Sequence, residues 1–274
     1  TPSLLNPRRA DLWDSEKVSS PQNILVEYAG KPLDSKQKAW WMVRIWDKNG
    51  KTGKWSAPAY FETGMLKAED WVADWIKTAI KFDEYSYPAP HFRKEFSLSK
   101  PILSARLYCS AKGLYEFHLN GRKVGDQVLT PGYTSYETSL QYQVYDVTEQ
   151  LRNGSNALGV ILGNGWYRAF NPNGRPMPDG WDVEVIGQLE VTYTDGSVQV
   201  IPTDESWKSS TGPVLRSEIF FGEIYDARLE MDGWAQPGFN DSQWKGVVKT
   251  GSQKNNLVGS ISEPMRKIET LKPV

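Results

Sequence analysis

Asp126 and Gln127 stand side by side in the stretch FHLNGRKVGDQVLTPG, residues 117–132, just before a Pro-Gly turn. A carboxylate oxygen next to an amide oxygen is the start of a hard-cation site, because Ca²⁺ takes about six to eight oxygens from carboxylates, amides, carbonyls and waters. A second loop, residues 171–180 (NPNGRPMPDG), is rich in amides, prolines and carbonyls with no strand to pair with. If it folds next to Asp126, an ion fits between the two, with places left for vicinal sugar hydroxyls. Two ordinary polar loops would read the same way.

Bond-breaking chemistry finds less support. His91 and His118 are the only histidines, and no Gly-x-Ser-x-Gly elbow accompanies them. No His-x-x-x-His spacing suggests zinc, and no glycine-rich phosphate loop joins a strand to a helix. Cys109 is alone, so neither a disulfide within the chain nor a cysteine metal site is available, and it reads as a small core residue. The segment 222–228 (GEIYDAR) gathers Glu223, Asp226 and Arg228. Two acids flanking a bond can run glycoside hydrolysis. An acid and an arginine at a strand edge more commonly make a structural ion pair, and both readings stay open.

Aromatic residues offer a third chemistry. The chain holds 12 Trp, 13 Tyr and 9 Phe, and such rings stack on the C–H faces of sugars or fill a β-rich core. In 163–168 (GNGWYR), glycines on both sides of Asn164 allow a sharp turn that brings Trp166 and Tyr167 to a sandwich rim. There they either stack on a sugar or plug the end of the core. Trp181 carries the same ambiguity.

Strands must position these groups. Phe92–Leu98, Ala105–Cys109, Tyr115–Leu119 and Leu140–Val147 alternate with period two, and Ala157–Leu162 is a continuous apolar run, as in a strand covered on both faces. Asn120-Gly121 is a two-residue hairpin signal, since both positions tolerate positive φ. Val183–Tyr193 turns at 194–197 and returns as Val198–Ile201. This pattern predicts an all-β jelly-roll, galactose-binding-like sandwich over residues 91–274. Residues 66–90 read as a linker. Residues 1–65 show strand signals at Ile24–Tyr28, Trp40–Trp46 and Tyr60–Thr63, a fibronectin-III or immunoglobulin-like sandwich. With roughly four or five strands where about seven are usual, it reads as truncated at its start. A net charge of −1 argues against a nucleic-acid footprint, no apolar run reaches the roughly 20 residues of a membrane span, and the polar start shows no signal peptide.

Several motifs in order resemble one known family. GLYEFHLNGRKVGDQVLTPGYTSYETSLQYQVYDVT, GNGWYR, GEIYDARLEMDGW and PGFNDSQW resemble the amino-terminal region of bacterial α-L-rhamnosidases of glycoside hydrolase family 78, over roughly residues 90–274. The earlier part resembles the fibronectin-III-like domain that precedes it. The resemblance implies a domain similar to the rhamnose-binding, calcium-using carbohydrate-binding module family 67. It places Asp126 and Gln127 on that module's Asp-Asn pair, with Gln127 departing from Asn, and Asn173 and Pro178 on its later calcium ligands. It implies Ca²⁺ as cofactor, a rhamnose-containing glycan as partner with Asp126, Gln127, Asn164, Trp166, Tyr167 and Trp181 as candidate contacts, and export from the cytoplasm. It also implies that hydrolysis belongs to a helical (α/α)6 barrel against which this region packs, and that no catalytic residue lies here. Packing without sugar binding is the alternative role.

Overall fold

The computed structural model describes residues 10–22, 24–82, 87–169 and 182–272. They form two units, Thr1–Asp70 and Trp71–Val274. Apart from three short 3-10 turns, the described elements are strands, and no helix among the described residues is long and apolar enough to cross a membrane.

In the first unit, β1 (Lys38–Trp41) pairs antiparallel with β2 (Ala59–Glu62), Trp40 opposite Tyr60. The run read as one strand to Trp46 is regular only as far as Trp41. Beyond it a looser hairpin forms, with Ser56 N donating to Val43 O at 2.7 Å and Gly53 N to Ile45 O at 2.8 Å. Arg44 lies over the Trp46 and Trp55 rings, 4.8 and 4.7 Å from their centroids. Ile24–Tyr28 is not a strand: Ile24, Leu25 and Val26 are exposed, and Leu25 sits at φ +52°, off the extended path.

The second unit holds β3 (Ile76–Thr78), β4 (Pro90–Leu98), β5 (Ile102–Lys112), β6 (Leu114–Leu119), β7 (Arg122–Lys123), β8 (Leu140–Asp146), β9 (Gly154–Gly163), β10 (Glu184–Tyr193) and β11 (Val198–Pro202). It continues with β12 (Lys208–Thr211), β13 (Val214–Glu218), β14 (Gly222–Tyr225), β15 (Lys245–Lys249) and β16 (Leu257–Gly259). Hydrogen bonds run in the order β16-β8-β5-β10-β3-β15-β12-β4-β9-β6-β7, with β11 beside β10. The path folds over at β15, which pairs β3 on one side and β12 on the other. Two layers result. Leu107, Cys109, Val185 and Leu189 from one meet Phe92, Phe117, Val160 and Leu162 from the other in a continuous core. Each such side chain contributes about 1.5–3 kcal/mol by leaving water. Burial pushes the Cys109 thiol up to about 12, so it stays protonated and inert.

Part of the segment before β4 belongs to this core. Trp71, Ala73, Trp75 and Ile76 are buried. Gln188 Oε1 accepts from Val72 N and Ala73 N at 2.8 and 3.0 Å, and Trp75 Nε1 donates to Gln253 O at 3.1 Å.

The Asn120-Gly121 turn forms as its residue types dictate, with φ of +53° and +80°. Asn120 also ties the hairpin to β9: its Nδ2 donates to Asn156 Oδ1 at 2.8 Å and its Oδ1 accepts from Ala157 N at 3.0 Å. β9 is covered on both faces, and two glycines make this possible. Leu158, Val160 and Leu162 point into the core, while Gly159 and Gly163 lie on the opposite face. A Cβ on Gly159 would run into the Trp234 ring, and one on Gly163 would sit 2.7 Å from Ser217 Oγ.

Candidate functional site

Gly125 (φ +70°) turns the chain out of β7, and its bare Cα lies against the Tyr145 ring, where no Cβ fits. The two residues that follow diverge. Asp126 is exposed and its carboxylate accepts from Arg266 Nε at 3.0 and 2.9 Å. Gln127 turns inward, where Oε1 accepts from Tyr145 OH at 3.4 Å. Tyr145 OH meets Tyr115 OH at 3.2 Å, Tyr115 OH donates to Gln143 Oε1 at 2.6 Å, and Gln143 Nε2 donates to Pro131 O at 3.2 Å. Burial raises the Tyr115 phenol well above its ordinary value, so the relay is neutral. Residues 265–266 pin the loop further: Val128 N donates to Met265 O at 3.0 Å, and Gln127 bridges to Arg266.

Of the four residues expected to hold an ion, Asn173 and Pro178 lie outside the described residues. The two described donors are engaged by a guanidinium and a phenol. They fall short of the six to eight or so oxygens that Ca²⁺ takes. Among the described residues no group of three or more His, Cys, Asp or Glu is placed to hold a metal. An ion at Asp126 must displace Arg266.

The second candidate cluster closes differently. Asn164 O accepts from Arg168 N at 3.1 Å, which makes the turn after β9. Gly165 (φ +56°) sits where a Cβ would meet Leu114 Cγ at 2.5 Å. Trp166 then reaches Tyr133, ring centroids 5.9 Å apart, and Tyr167 reaches Tyr136 at 5.1 Å. Tyr133 and Tyr136 are 6.2 Å apart, edge to face, and link the two pairs. The two aromatic roles are split between neighbours: Tyr167 is 5% exposed and plugs the core, while Tyr133 is 71% exposed and Trp166 half-buried. Burial, reinforced by the neighbouring phenols, pushes Tyr136 up to about 12. Burial together with Glu184, Glu137 and Asp182 does the same for Tyr167. Asn164 is 4% exposed, and among the described residues its Nδ2 has no hydrogen-bond partner, nor do the buried Thr134 Oγ1 and Tyr136 OH. A buried donor left unmade costs about 1–3 kcal/mol. Tyr133, Thr134 and Tyr136 were not singled out from the sequence, although two tyrosines flanking Thr-Ser after a Pro-Gly turn is a legible signal. Trp181 lies outside the described residues.

In the acidic segment Asp226 pairs with Arg228, the structural ion pair. Asp226 caps a 3-10 turn and accepts from Arg228 N at 3.1 Å and from its guanidinium at 2.8 and 2.5 Å. That guanidinium holds the Asp226 carboxyl below its usual range. Glu223 lies exposed on β14 opposite Ser217. His118 Nε2 is 2.9 Å from Glu116, and His91 is buried edge-on to Trp234 with ring centroids 4.8 Å apart.

The two antiparallel layers, closed at one end by an aromatic rim, define the second unit as a β-sandwich module. Residues 100–269 match the family model for the α-L-rhamnosidase N-terminal domain, and residues 4–67 match that for the Rha78A-like N-terminal immunoglobulin domain. The chain belongs to the α-L-rhamnosidase N-terminal domain family and is an N-terminal region of a glycoside hydrolase family 78 rhamnosidase. It is 41% identical over 261 residues to an α-L-rhamnosidase of Formosa agariphila, covering 90% of this chain and 28% of that protein. The α-L-rhamnosidase structure from Dictyoglumus thermophilum is similar with a TM-score of 0.88 and 38% identity, covering 97% of this chain and 31% of that one. The Streptomyces avermitilis α-L-rhamnosidase complexed with L-rhamnose is similar with a TM-score of 0.86 and 25% identity, covering 94% and 42%. The chain thus spans under half the length of these relatives.

Proposed function

We propose that this region holds rhamnose-containing glycan for an α-L-rhamnosidase whose bond cleavage is carried by a catalytic domain elsewhere in the enzyme. One observation carries this reading. The exposed Tyr133 ring stands against the half-buried Trp166 at the turn after β9. Ring area left open to solvent in this way suits stacking on the C–H face of a sugar. Calcium enters this reading at Asp126, in competition with Arg266. Calorimetry with rutinose, L-rhamnose joined to D-glucose, tests it in the presence and absence of Ca²⁺. Binding that Trp166→Ala weakens roughly three- to tenfold, the worth of one aromatic contact, supports the rim. Binding indifferent to Trp166→Ala and Tyr133→Ala refutes it.

A second reading has its own observation. Among the described residues β13 and β14 form a two-stranded sheet of their own, and Phe220, Phe221, Ile224 and Tyr225 on it are 49–70% exposed. An apolar patch of this kind marks a contact surface. In this reading the region packs on the catalytic domain and binds no sugar. Absence of heat with rutinose in both conditions favours it.

A further inference from the structure

The β1–β2 ribbon of the first unit has one finished face and one bare face. On the finished face Lys38 lies over the Trp40 and Tyr60 rings, 5.1 and 3.8 Å from their centroids, and Lys17 lies 5.5 Å from the centroid of Trp46. Arg44, over Trp46 and Trp55, completes this row of rings and cations. Such side chains cover aromatic surface with their stems and keep their charge in water, so this face is built to meet solvent. Successive strand residues point to opposite sides. Trp41, Val43 and Ile45 therefore make the other face, joined by Phe61, which stands across from Ala39. These four are 46, 50, 75 and 40% exposed. A two-stranded ribbon is marginal by itself in water, and one with four large apolar side chains on a single side is a core face that calls for a second layer.

The same deficit explains Ile24–Tyr28. Ile24, Val26 and Tyr28 alternate as strand residues do, yet all three are exposed. An extended run needs a neighbouring strand for its backbone N–H and C=O groups. One missing sheet answers both deficits, because it covers the bare face and offers Ile24–Tyr28 a neighbour. A second copy of this chain, docked face to face, would cover the first and leave the second as it is.

Immunoglobulin topology says where that sheet comes from. Residues 4–67 match an immunoglobulin-domain model. Such a sandwich takes about 100 residues in about seven strands, A to G, with A, B, E and D in one sheet and C, F and G in the other. β1 and β2 are the final hairpin of the unit and correspond in order to F and G. Ile24–Tyr28, the apolar run before them, corresponds to E, and residues 10–22 leave room for D. The strands without a counterpart are A, B and C, which come first in chain order. The matched stretch is about two thirds of such a domain, which leaves about 35 residues for them.

We infer that the bare face is the docking surface for strands A, B and C, supplied by residues that precede residue 1 in the full-length enzyme. C pairs with β1 along the edge that β2 leaves free. A and B join Ile24–Tyr28 in the second sheet, about 10 Å above Trp41, Val43, Ile45 and Phe61.

Hydrogen exchange on the 274-residue chain and on the full-length enzyme tests this. Amides of residues 24–28 are expected to exchange near the rate of a free chain in the first protein and about a hundredfold or more slowly in the second. Ile45→Asp gives an independent readout. In the 274-residue chain this side chain is in water, so the variant is expected to melt as the parent does. In the full-length enzyme it lies between two sheets, so the variant is expected to lose the slow exchange of residues 24–28, while amides of the second unit exchange as before. Equal exchange of residues 24–28 in the two parent proteins overturns the assignment, and so does an Ile45→Asp variant of the full-length enzyme that keeps the parent's protection. Sedimentation reads the rival occupant. If the full-length enzyme is a dimer that Ile45→Asp dissociates, a second copy covers the face and the assignment falls.

Discussion

Asn156 fixes the Asn120-Gly121 hairpin to β9, and its replacement should be among the most costly polar substitutions in the chain. The side chain is 0% exposed. Its Nδ2 donates to Arg152 O at 2.7 Å and to Gly154 O at 2.9 Å, and its Oδ1 accepts from Asn120 Nδ2 at 2.8 Å and from Arg152 N at 3.1 Å. Every hydrogen-bonding site on the amide is therefore used. Asn156→Ala breaks four bonds at about 1 kcal/mol each, but Asn120 Nδ2 keeps Gln150 O at 2.8 Å. The expected loss is about 3–4 kcal/mol, read from urea unfolding followed by tryptophan fluorescence. Asn156→Asp sharpens the test. It preserves the accepting oxygen and aims a second oxygen at two carbonyls, so the ionised form is disfavoured and the folded-state pKa is raised. A raised carboxyl adds no penalty below its unfolded value of about 3.9 and costs stability as pH rises past it. The aspartate variant should therefore lose stability relative to the parent on going from pH 3.5 to pH 7. A cost below about 1 kcal/mol for the alanine variant, or a pH-independent aspartate variant, would refute the assignment of Asn156 as the tie.

Burial of His91 holds its pKa down to about 4. The unfolded chain then binds more protons, so stability should fall as pH drops from about 6.5 to 4, by about 3 kcal/mol at 1.36 kcal/mol per unit; His91→Phe should flatten that interval in melting curves. Arg266→Ala removes an exposed ion pair and should cost under about 1 kcal/mol; because the guanidinium competes for the same oxygens, Ca²⁺ should bind Asp126 more tightly in this variant, and a weaker calcium titration would count against an ion there. Gly159→Val sets a side chain against Trp234, and overpacking of this kind should cost about 1–3 kcal/mol in chemical unfolding; an unchanged midpoint would show that Trp234 does not seal this face.

β4, β5, β6 and β8 were legible because each has a buried face that enforces period two, and β9 because its two buried faces enforce a continuous apolar run, whereas β7, β14, β15 and β16 hold no buried residue and left no such pattern. The Asn120-Gly121 turn was legible because positive φ at two consecutive positions selects those residue types. Ile24–Tyr28 misled for the complementary reason. An apolar run has strand character only where a partner is present, and Ile24, Leu25 and Val26 face solvent here. Asp126 shows a different limit of local spacing, which offers it to a cation but says nothing of Arg266, 140 residues away, whose guanidinium reaches the same oxygens. Trp166 and Tyr167 were identified as one rim pair, and only packing shows that the first faces outward and the second inward.

The location of a cavity on this fold follows from where side chains are missing. An antiparallel strand with one wet face presents polar groups there and encloses nothing. β9 instead carries glycine at 159 and 163 on the face away from the core, four residues apart and hence on one side. Each gap admits a covering element, Trp234 over the first and the β13–β14 hairpin over the second. The half-buried Ile161 between them becomes the wall of a cavity, and Glu116 on the neighbouring strand becomes its polar edge. Such a cavity needs chain that is distant in sequence to close it, so no window of residues announces it. The spacing of the glycines does, once the strand that carries them is known to be covered twice.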